Sequence, residues 1–254
     1  MSDLRLFAVP DFPDVQAGDD LAGLIIDGLT TTPLQDGDVV TIAQKVVSKA
    51  NGRFAHLSDI QPTAEALRVA KETDKDPRLV ELILQESDEI SRMRRGVLVV
   101  RHRLGFTSAN AGIDRSNVAQ EGGEDETVLL LPLDPDADAQ RIRKRLEGAF
   151  DVRVGVVITD SHGRPFRLGT VGVAIGVAGI PALWDRRGES DLYGYTLQHT
   201  DIGVADEIAA AAGLLMGQAS EGTPVVVLRG LKLPQSMDGQ ATDLVRPKEM
   251  DLYR

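Results

Sequence analysis

The chain has 254 residues, a formal net charge of −11 and no cysteine. The missing cysteines exclude disulfides, thiolate nucleophiles, iron–sulfur clusters and cysteine zinc sites. The acidic balance argues against nucleic acid as a partner, because that binding rests on Lys and Arg neutralising phosphates. No apolar run approaches the ~20 residues that span a bilayer, and Met1-Ser2-Asp3-Leu4-Arg5 lacks a signal-peptide pattern. The expectation is a soluble, cytoplasmic protein with no membrane association.

In chain order, Asp19 and Asp20 can cap a helix over Leu21–Leu29. Val39–Ala43 reads as a strand, and helical patterns follow at Thr63–Glu72 and Pro77–Glu86. Val97–Val100 and Val128–Leu131 are short apolar runs of strand type. A helix over Asp136–Phe150 puts Ile142, Leu146 and Phe150 on one stripe and leaves Arg141, Arg143, Lys144 and Arg145 as an exposed face. Val154–Ile158 and Val171–Val177 read as strands. Ile202–Gln218 then reads as a core helix carrying Val204, Ile208, Ala212 and Leu215, before a last strand at Val225–Leu228. The alternation predicts a mixed α/β (α+β) protein, read as one domain over residues 1–254; two lobes are compatible with the length, and no boundary is visible. Gln120–Glu126 reads as a Gly/Glu-rich loop, and Leu244-Val245-Arg246-Pro247 and Leu252-Tyr253-Arg254 as short docking segments.

Two segments resist a purely structural reading. Thr159-Asp160-Ser161-His162-Gly163-Arg164-Pro165-Phe166-Arg167 follows a buried-strand pattern with a carboxylate, a hydroxyl and two arginines. Oxygen ligands of that kind suit Mg²⁺ or Mn²⁺, and arginine forks suit phosphate. Ala109-Asn110-Ala111-Gly112-Ile113-Asp114-Arg115-Ser116-Asn117 has the same character. Together they point to metal-assisted phosphoryl chemistry. Anionic ligands on an acidic chain also need local positive charge, for which Lys45, Lys49, Arg164 and Arg167 are candidates; Lys49 by itself reads first as part of a solvated face. No Gly-x-x-x-x-Gly-Lys-Ser/Thr loop is present, and Gly172, Gly176 and Gly179 read as packing or turn glycines. His56, His102 and His199 read as structural or exposed; His162, beside the candidate site, stays open.

Those segments, taken in order with Gly18-Asp19-Asp20-Leu21, Gly37-Asp38-Val39-Val40-Thr41-Ile42-Ala43-Gln44-Lys45-Val46-Val47-Ser48-Lys49, Leu131-Pro132-Leu133-Asp134-Pro135-Asp136, Ala174-Ile175-Gly176-Val177-Ala178-Gly179-Ile180, Arg187-Gly188-Glu189 and Met216-Gly217-Gln218-Ala219-Ser220-Glu221-Gly222, make the chain resemble the coenzyme F420-0:L-glutamate ligase (coenzyme F420:γ-glutamyl ligase) family nearly end to end. The resemblance implies GTP-dependent attachment of L-glutamate to coenzyme F420-0 through an acyl phosphate, with release of GDP and phosphate and further γ-linked glutamates. It implies two divalent ions, Mg²⁺ or Mn²⁺, a potassium ion, and a homodimer of the family's own α/β fold with active sites near the interface.

Carried residue by residue, the resemblance makes Asp114 and Asp160 ligands of one divalent ion and Ser161 and Gln218 ligands of the second. It implies nucleotide contacts at Val9, Pro10, Asp11, Phe12, Val40, Thr41, Lys45 and Asn117, and at Met216, Gly217, Gln218, Ala219, Ser220, Glu221, Gly222 and Thr223. The chain departs from the family at Asp11-Phe12-Pro13, where an aliphatic pair and a lysine are frequent. It departs again at Ser161-His162, where Thr-Phe is common, and at Phe166, where Trp is common. It matches the stand-alone form, without the flavin-binding nitroreductase-like domain of the fused form. Two other readings stay open: a phosphohydrolase using the same metal site, and a non-catalytic nucleotide sensor. The joint presence of Asp114, Asp160 and Gln218 argues against the sensor.

Overall fold

The computed structural model describes residues 3–118, 126–234 and 238–250. The expected loop at Gln120–Glu126, apart from Glu126, and the expected docking segment Leu252–Arg254 lie outside the described residues. The strands are β1 Arg5–Ala8, β2 Val39–Ala43, β3 Phe54–His56, β4 Ser87–Arg94, β5 Val97–His102, β6 Thr107–Ala109, β7 Thr127–Leu129, β8 Gly155–Arg164, β9 Arg167–Ala178, β10 Trp184–Asp185, β11 Asp201–Ile202 and β12 Val225–Arg229. The α-helices are α1 Leu21–Gly28, α2 Gln44–Ala50, α3 Ala64–Thr73, α4 Pro77–Gln85, α5 Pro135–Phe150 and α6 Val204–Met216. This is the mixed α/β architecture expected.

Local chemistry explains where the helices begin. Side-chain oxygens of Asp20, Thr63, Asp76 and Asp134 accept from free backbone N–H groups of the first turns of α1, α3, α4 and α5. Pro77 and Pro135 occupy first-turn positions where no N–H is needed.

The principal sheet has the order β1-β12-β2-β8-β9. All neighbours are antiparallel except β2 and β8, which run parallel from Val39 opposite Gly155 to Ala43 opposite Thr159, where β2 ends and β8 continues. Both faces are covered, so these strands are apolar on both sides. Val40, Ile42, Val156, Ile158, Val225 and Val227 pack with α1, α2 and α5, whereas Val39, Val157, Val226 and Leu228 pack with α6. The close approach of helices to β9 requires glycine at two positions. A Cβ on Gly172 would collide with the Ala209 carbonyl of α6, and one on Gly176 with the Pro135 carbonyl of α5.

A second core forms where α3 and α4 pack on the β4-β5-β6 sheet, around Leu57, Val69, Val80, Ile83, Leu98 and Val100. At its margin the buried Glu86 carboxylate accepts from Arg53 Nη2 at 3.1 Å and pairs with Arg103 Nη2 at 2.9 Å. Arg53 Nε also donates to the Leu131 carbonyl at 2.9 Å, tying this core to the stretch that leads into α5.

Several expectations change. The strand expected to stop at Ile158 continues to Arg164, because the polar segment pairs with β9 to make a long hairpin. The strand expected over Val128–Leu131 is Thr127–Leu129. Helix α2 and strand β4 were not anticipated: Gln44–Ala50 carries a β-branched pair, and Ser87–Arg94 is polar because one side meets solvent. The basic face of α5 is not uniformly solvated, since Arg143 folds back to donate to the Val154 carbonyl at 3.1 Å. Leu215, expected in the core, is 40% exposed. The helix expected to reach Gln218 ends at Met216, where Gly217 takes a φ of 68°. Among the described residues, no helix is long and apolar enough to cross a membrane.

Candidate functional site

In an open sheet, the crevice beyond the carboxyl ends of parallel strands is where backbone donors and helix starts converge. Here β2 and β8 are the parallel pair, and both deliver polar residues at that edge. Strand β2 passes directly into α2 at Gln44 and Lys45, while β8 carries Thr159, Asp160 and Ser161 alongside. A cavity of about 450 Å³ opens there, with walls from Phe12–Val15, Ala43–Val46, Lys49, Asn117, Thr159–Ser161 and Met216–Pro224.

Asp114 arrives from a segment 70 residues beyond Gln44 in the chain. Asn110, Ala111 and Gly112 have φ of 52°, 55° and 66°, three successive left-handed residues of a kind uncommon outside turns and functional segments. After this turn, Asp114 exchanges two backbone hydrogen bonds of 2.9 Å with Leu129 at the end of β7. Its carboxylate accepts from Gln44 Nε2 at 2.5 Å and pairs with Lys45 Nζ at 3.3 Å. Gln44 is in turn fixed by Ser48 Oγ, which donates to its carbonyl oxygen at 3.1 Å. Burial pushes the Asp114 carboxyl above the ordinary aspartate range; Lys45 opposes this and the charge on Asp160 adds to it. Two carboxylates that repel each other in a partly buried setting form a site that a cation relieves.

Asp160 is held from behind. His162 lies on the same face of β8, two residues on, and its Nε2 is 2.9 Å from Asp160 Oδ2. The His162 ring packs on Phe106, which stacks on the buried His102, with centroid separations of 4.9 and 5.2 Å. His162 therefore orients a candidate ligand from outside the cavity, a role for which the histidine spacing gave no signal.

Donor chemistry fits a hard divalent ion. Among the described residues, no three His, Cys, Asp or Glu side chains gather as a metal site, but two carboxylates with neutral oxygens nearby are a usual protein contribution when phosphates complete the shell. Ser161 and Gln218 both line the cavity and can supply such oxygens. Asn117 bridges the two halves of the site: its Nδ2 donates to the Ala219 carbonyl at 2.9 Å, joining the Asp114 segment to the loop after α6.

The remaining candidates divide cleanly. Lys45 lies on the first turn of α2, in the wall, with Nζ also donating to Ser116 Oγ at 2.8 Å. Met216 to Thr223 all line the cavity, as does Phe12. Val40 and Thr41 do not: they are wholly buried in β2, because the central strand packs on both faces. Val9 is buried in the core beside α1, and Val9, Pro10 and Asp11 stand outside the wall. The N-terminal contribution comes instead from Phe12, Pro13, Asp14 and Val15. Arg164 and Arg167 are also absent from it, since they flank the turn of the β8–β9 hairpin, where Arg164 Nη2 donates to the Leu168 carbonyl at 3.2 Å.

Gln44 and Asp14 were not singled out, and Lys49, one of the candidate cations, departs from its solvated-face reading. Its side chain is 14% exposed, lines the cavity and donates to Asp14 Oδ1 at 2.8 Å. The available signal was positional, because Lys45 and Lys49 are one helical turn apart. It becomes visible once Gln44 is known to start a helix.

The arrangement thus offers ammonium groups, the Asp160 carboxylate and the backbone amides of the loop after α6 around one cavity, with Asp114 outside the wall and paired with Lys45, which is a setting for phosphate and a metal ion. The sequence pattern of the family described as F420-0:Gamma-glutamyl ligase matches residues 11–230, a span that contains every wall residue of this cavity. The chain belongs to the F420-0:gamma-glutamyl ligase family. It is 48% identical over 254 residues to the coenzyme F420:L-glutamate ligase of Methanothermobacter thermautotrophicus, covering 99% of both chains. Against the proteins of the same name from Methanopyrus kandleri and Archaeoglobus fulgidus, identity is 46% and 41%; each match covers 99% of this chain and 98% and 96% of the other. The matched span thus includes the whole wall of the cavity beside β2 and β8, with its carboxylates, its lysines and the loop after α6.

Proposed function

We propose that this chain joins L-glutamate to coenzyme F420-0 by an amide bond at the expense of GTP, and adds further glutamates through γ-linkages. The observation that carries the reading is the meeting of Asp160, Lys45, Lys49 and the Met216–Thr223 loop around one cavity, with Asp114 directly behind Lys45, in a chain of this family.

The chemistry needs activation, because oxide cannot leave from a free carboxylate. A carboxylate oxygen of coenzyme F420-0 attacks the γ-phosphorus of GTP. The bond to the bridging oxygen breaks, GDP departs with its electron pair, and an acyl phosphate forms. The deprotonated amine of glutamate then attacks the acyl carbon and phosphate leaves. Lys45 and Lys49 bind phosphate oxygens by charge, and the backbone amides after α6 add donors to the same anion. Asp114, Asp160, Ser161 and Gln218 would hold divalent ions, Mg²⁺ or Mn²⁺, whose chemistry would be to neutralise charge on a bound triphosphate. Asn117 fixes the amide loop, and His162 fixes Asp160. Holding three reactants together at one site supplies much of the remaining rate.

With GTP, L-glutamate, Mn²⁺ and coenzyme F420-0 together, mass spectrometry is expected to show products heavier by whole glutamyl units, and none when any one component is omitted. An unchanged deazaflavin mass overturns the ligase reading. Phosphate release that does not depend on glutamate returns the chain to the phosphohydrolase class, and GTP binding without turnover to the sensor.

The reading includes a homodimer. Leu168, Leu192 and Tyr193 are 98%, 96% and 95% exposed, and apolar side chains so displayed gain most from a second copy that covers them. Sedimentation is expected to give the mass of two chains; a monomer throughout the accessible concentration range contradicts it.

A further inference from the structure

The loop after α6 contains an anion of its own. Thr223 Oγ1 closes the helix by donating to the Leu215 carbonyl at 2.8 Å, and Gly217 and Gly222, with φ of 68° and 69°, bracket the turn. Between them Glu221 folds back on itself. The Ala219 N–H donates to Glu221 Oε2 at 2.8 Å, and the carboxyl group rests against Gly217 where any Cβ would collide with it. The Ala219 N–H is hydrogen-bonded to this carboxylate, and it and the neighbouring backbone N–H groups of the turn hold the group below the ordinary glutamate range. Consecutive backbone N–H groups aimed at one point make a nest, a concavity suited to phosphate and other anions. The same loop walls the cavity, with Lys45 and Lys49 also in that wall, and Asn117 anchors it through the Ala219 carbonyl.

A carboxylate in this position is an awkward neighbour for a triphosphate, since like charges brought together in one cavity repel. Engaged with the nest, it uses the donors a phosphate would use. We infer that the Glu221 carboxylate is an internal stand-in for a nucleotide phosphate: it fills the backbone nest in the free chain and leaves when phosphate enters. The inference rests on the nucleotide reading above and predicts a sign opposite to that of a binding residue, because removing the stand-in strengthens binding. A nest filled about nine-tenths of the time by its own carboxylate lowers apparent affinity about tenfold.

Calorimetric titration of GTP, inorganic tripolyphosphate and guanosine into the wild type, Glu221→Ala and Glu221→Gln tests it. The Gln variant keeps the shape and an acceptor oxygen while losing the charge, so it reports on competition even if the Ala variant loosens the loop. Glu221→Ala is expected to bind GTP and tripolyphosphate about tenfold more tightly, Glu221→Gln to fall between it and the wild type, and guanosine to be unaffected. Equal or weaker GTP binding in both variants, with the wild type binding normally, overturns the stand-in and makes Glu221 a loop staple or a ligand contact. Tighter guanosine binding in the variants also overturns it, since guanosine carries no phosphate to compete. A wild-type chain that binds neither GTP nor tripolyphosphate overturns the nucleotide reading, and this inference with it.

Discussion

Asp114→Asn and Asp160→Asn are each expected to lower the glutamylation rate by about a hundredfold or more, a barrier increase of about 2.7 kcal/mol. An amide keeps the shape of the carboxylate but removes the charge that holds a divalent ion. The two positions are not equivalent in the free protein. Asp114 is partly buried outside the cavity wall, accepts from Gln44 and pairs with Lys45, whereas Asp160 lines the cavity and is oriented by His162. Replacing Asp114 removes a repulsive neighbour of Asp160 and a pairing partner of Lys45, so its apo form is expected to stay folded. Binding of Mn²⁺, followed by the loss of the free-ion electron paramagnetic resonance signal with no turnover required, separates a ligand from a residue that acts only on rate. A loss of less than about tenfold in rate, or unchanged Mn²⁺ binding in either variant, removes that residue from the metal shell.

Glu86→Gln is expected to lower the unfolding free energy by about 3 kcal/mol, in urea denaturation near neutral pH. Breaking a buried ion pair by deleting one partner leaves the other charge uncompensated. Here two guanidinium groups, of Arg53 and Arg103, depend on the one carboxylate, with His102 Nε2 at 3.6 Å. Burial alone would raise the Glu86 carboxyl; His102, Arg53 and Arg103 together outweigh it and hold the group below the ordinary glutamate range. A carboxyl lowered by folding stabilises the folded state fully above its unfolded value, about 4.3, and loses that contribution as pH falls through the folded value. The difference between the wild type and Glu86→Gln is therefore expected to be constant from neutral pH down to about 5 and to shrink in stronger acid. A difference under about 1 kcal/mol at neutral pH would show that the arginines find solvent or other partners.

The two predictions concern different parts of one molecule, yet they are linked by the chain. Arg53, which grips Glu86, lies a few residues beyond the end of α2, the helix that begins with Gln44 and Lys45. His102, beside Glu86, stacks on Phe106, which packs on His162. The second core thereby supports both walls of the candidate site.

Much of this protein was legible in the residues alone. Strand β2 and the core strand segment within β8 follow from uninterrupted apolar runs, the start of α1 from a capping side chain, and α3, α4 and α5 from their helical period, because these signals are local in the chain. The unusual character of the Asp160 and Asp114 segments was visible for the same reason: carboxylates, amides and small residues do not build a core. The family resemblance, confirmed by the match over residues 11–230, also came from short ordered motifs. What the tertiary structure alone decided is which of these residues share a cavity. Val40 and Thr41 are adjacent in sequence to the site yet sealed inside the sheet, while Gln44 and Lys49, a few residues on, face it because the chain turns from strand to helix at the end of β2. Lys49 looked like a solvated lysine until Asp14, 35 residues away, was placed against it. Arg164 and Arg167 looked like phosphate ligands until the pairing of β8 with β9 carried them out to a hairpin turn. Each difference has one physical cause: local sequence sets the period and ends of an element, whereas the partners of a side chain depend on strand register and helix packing between residues far apart in the chain.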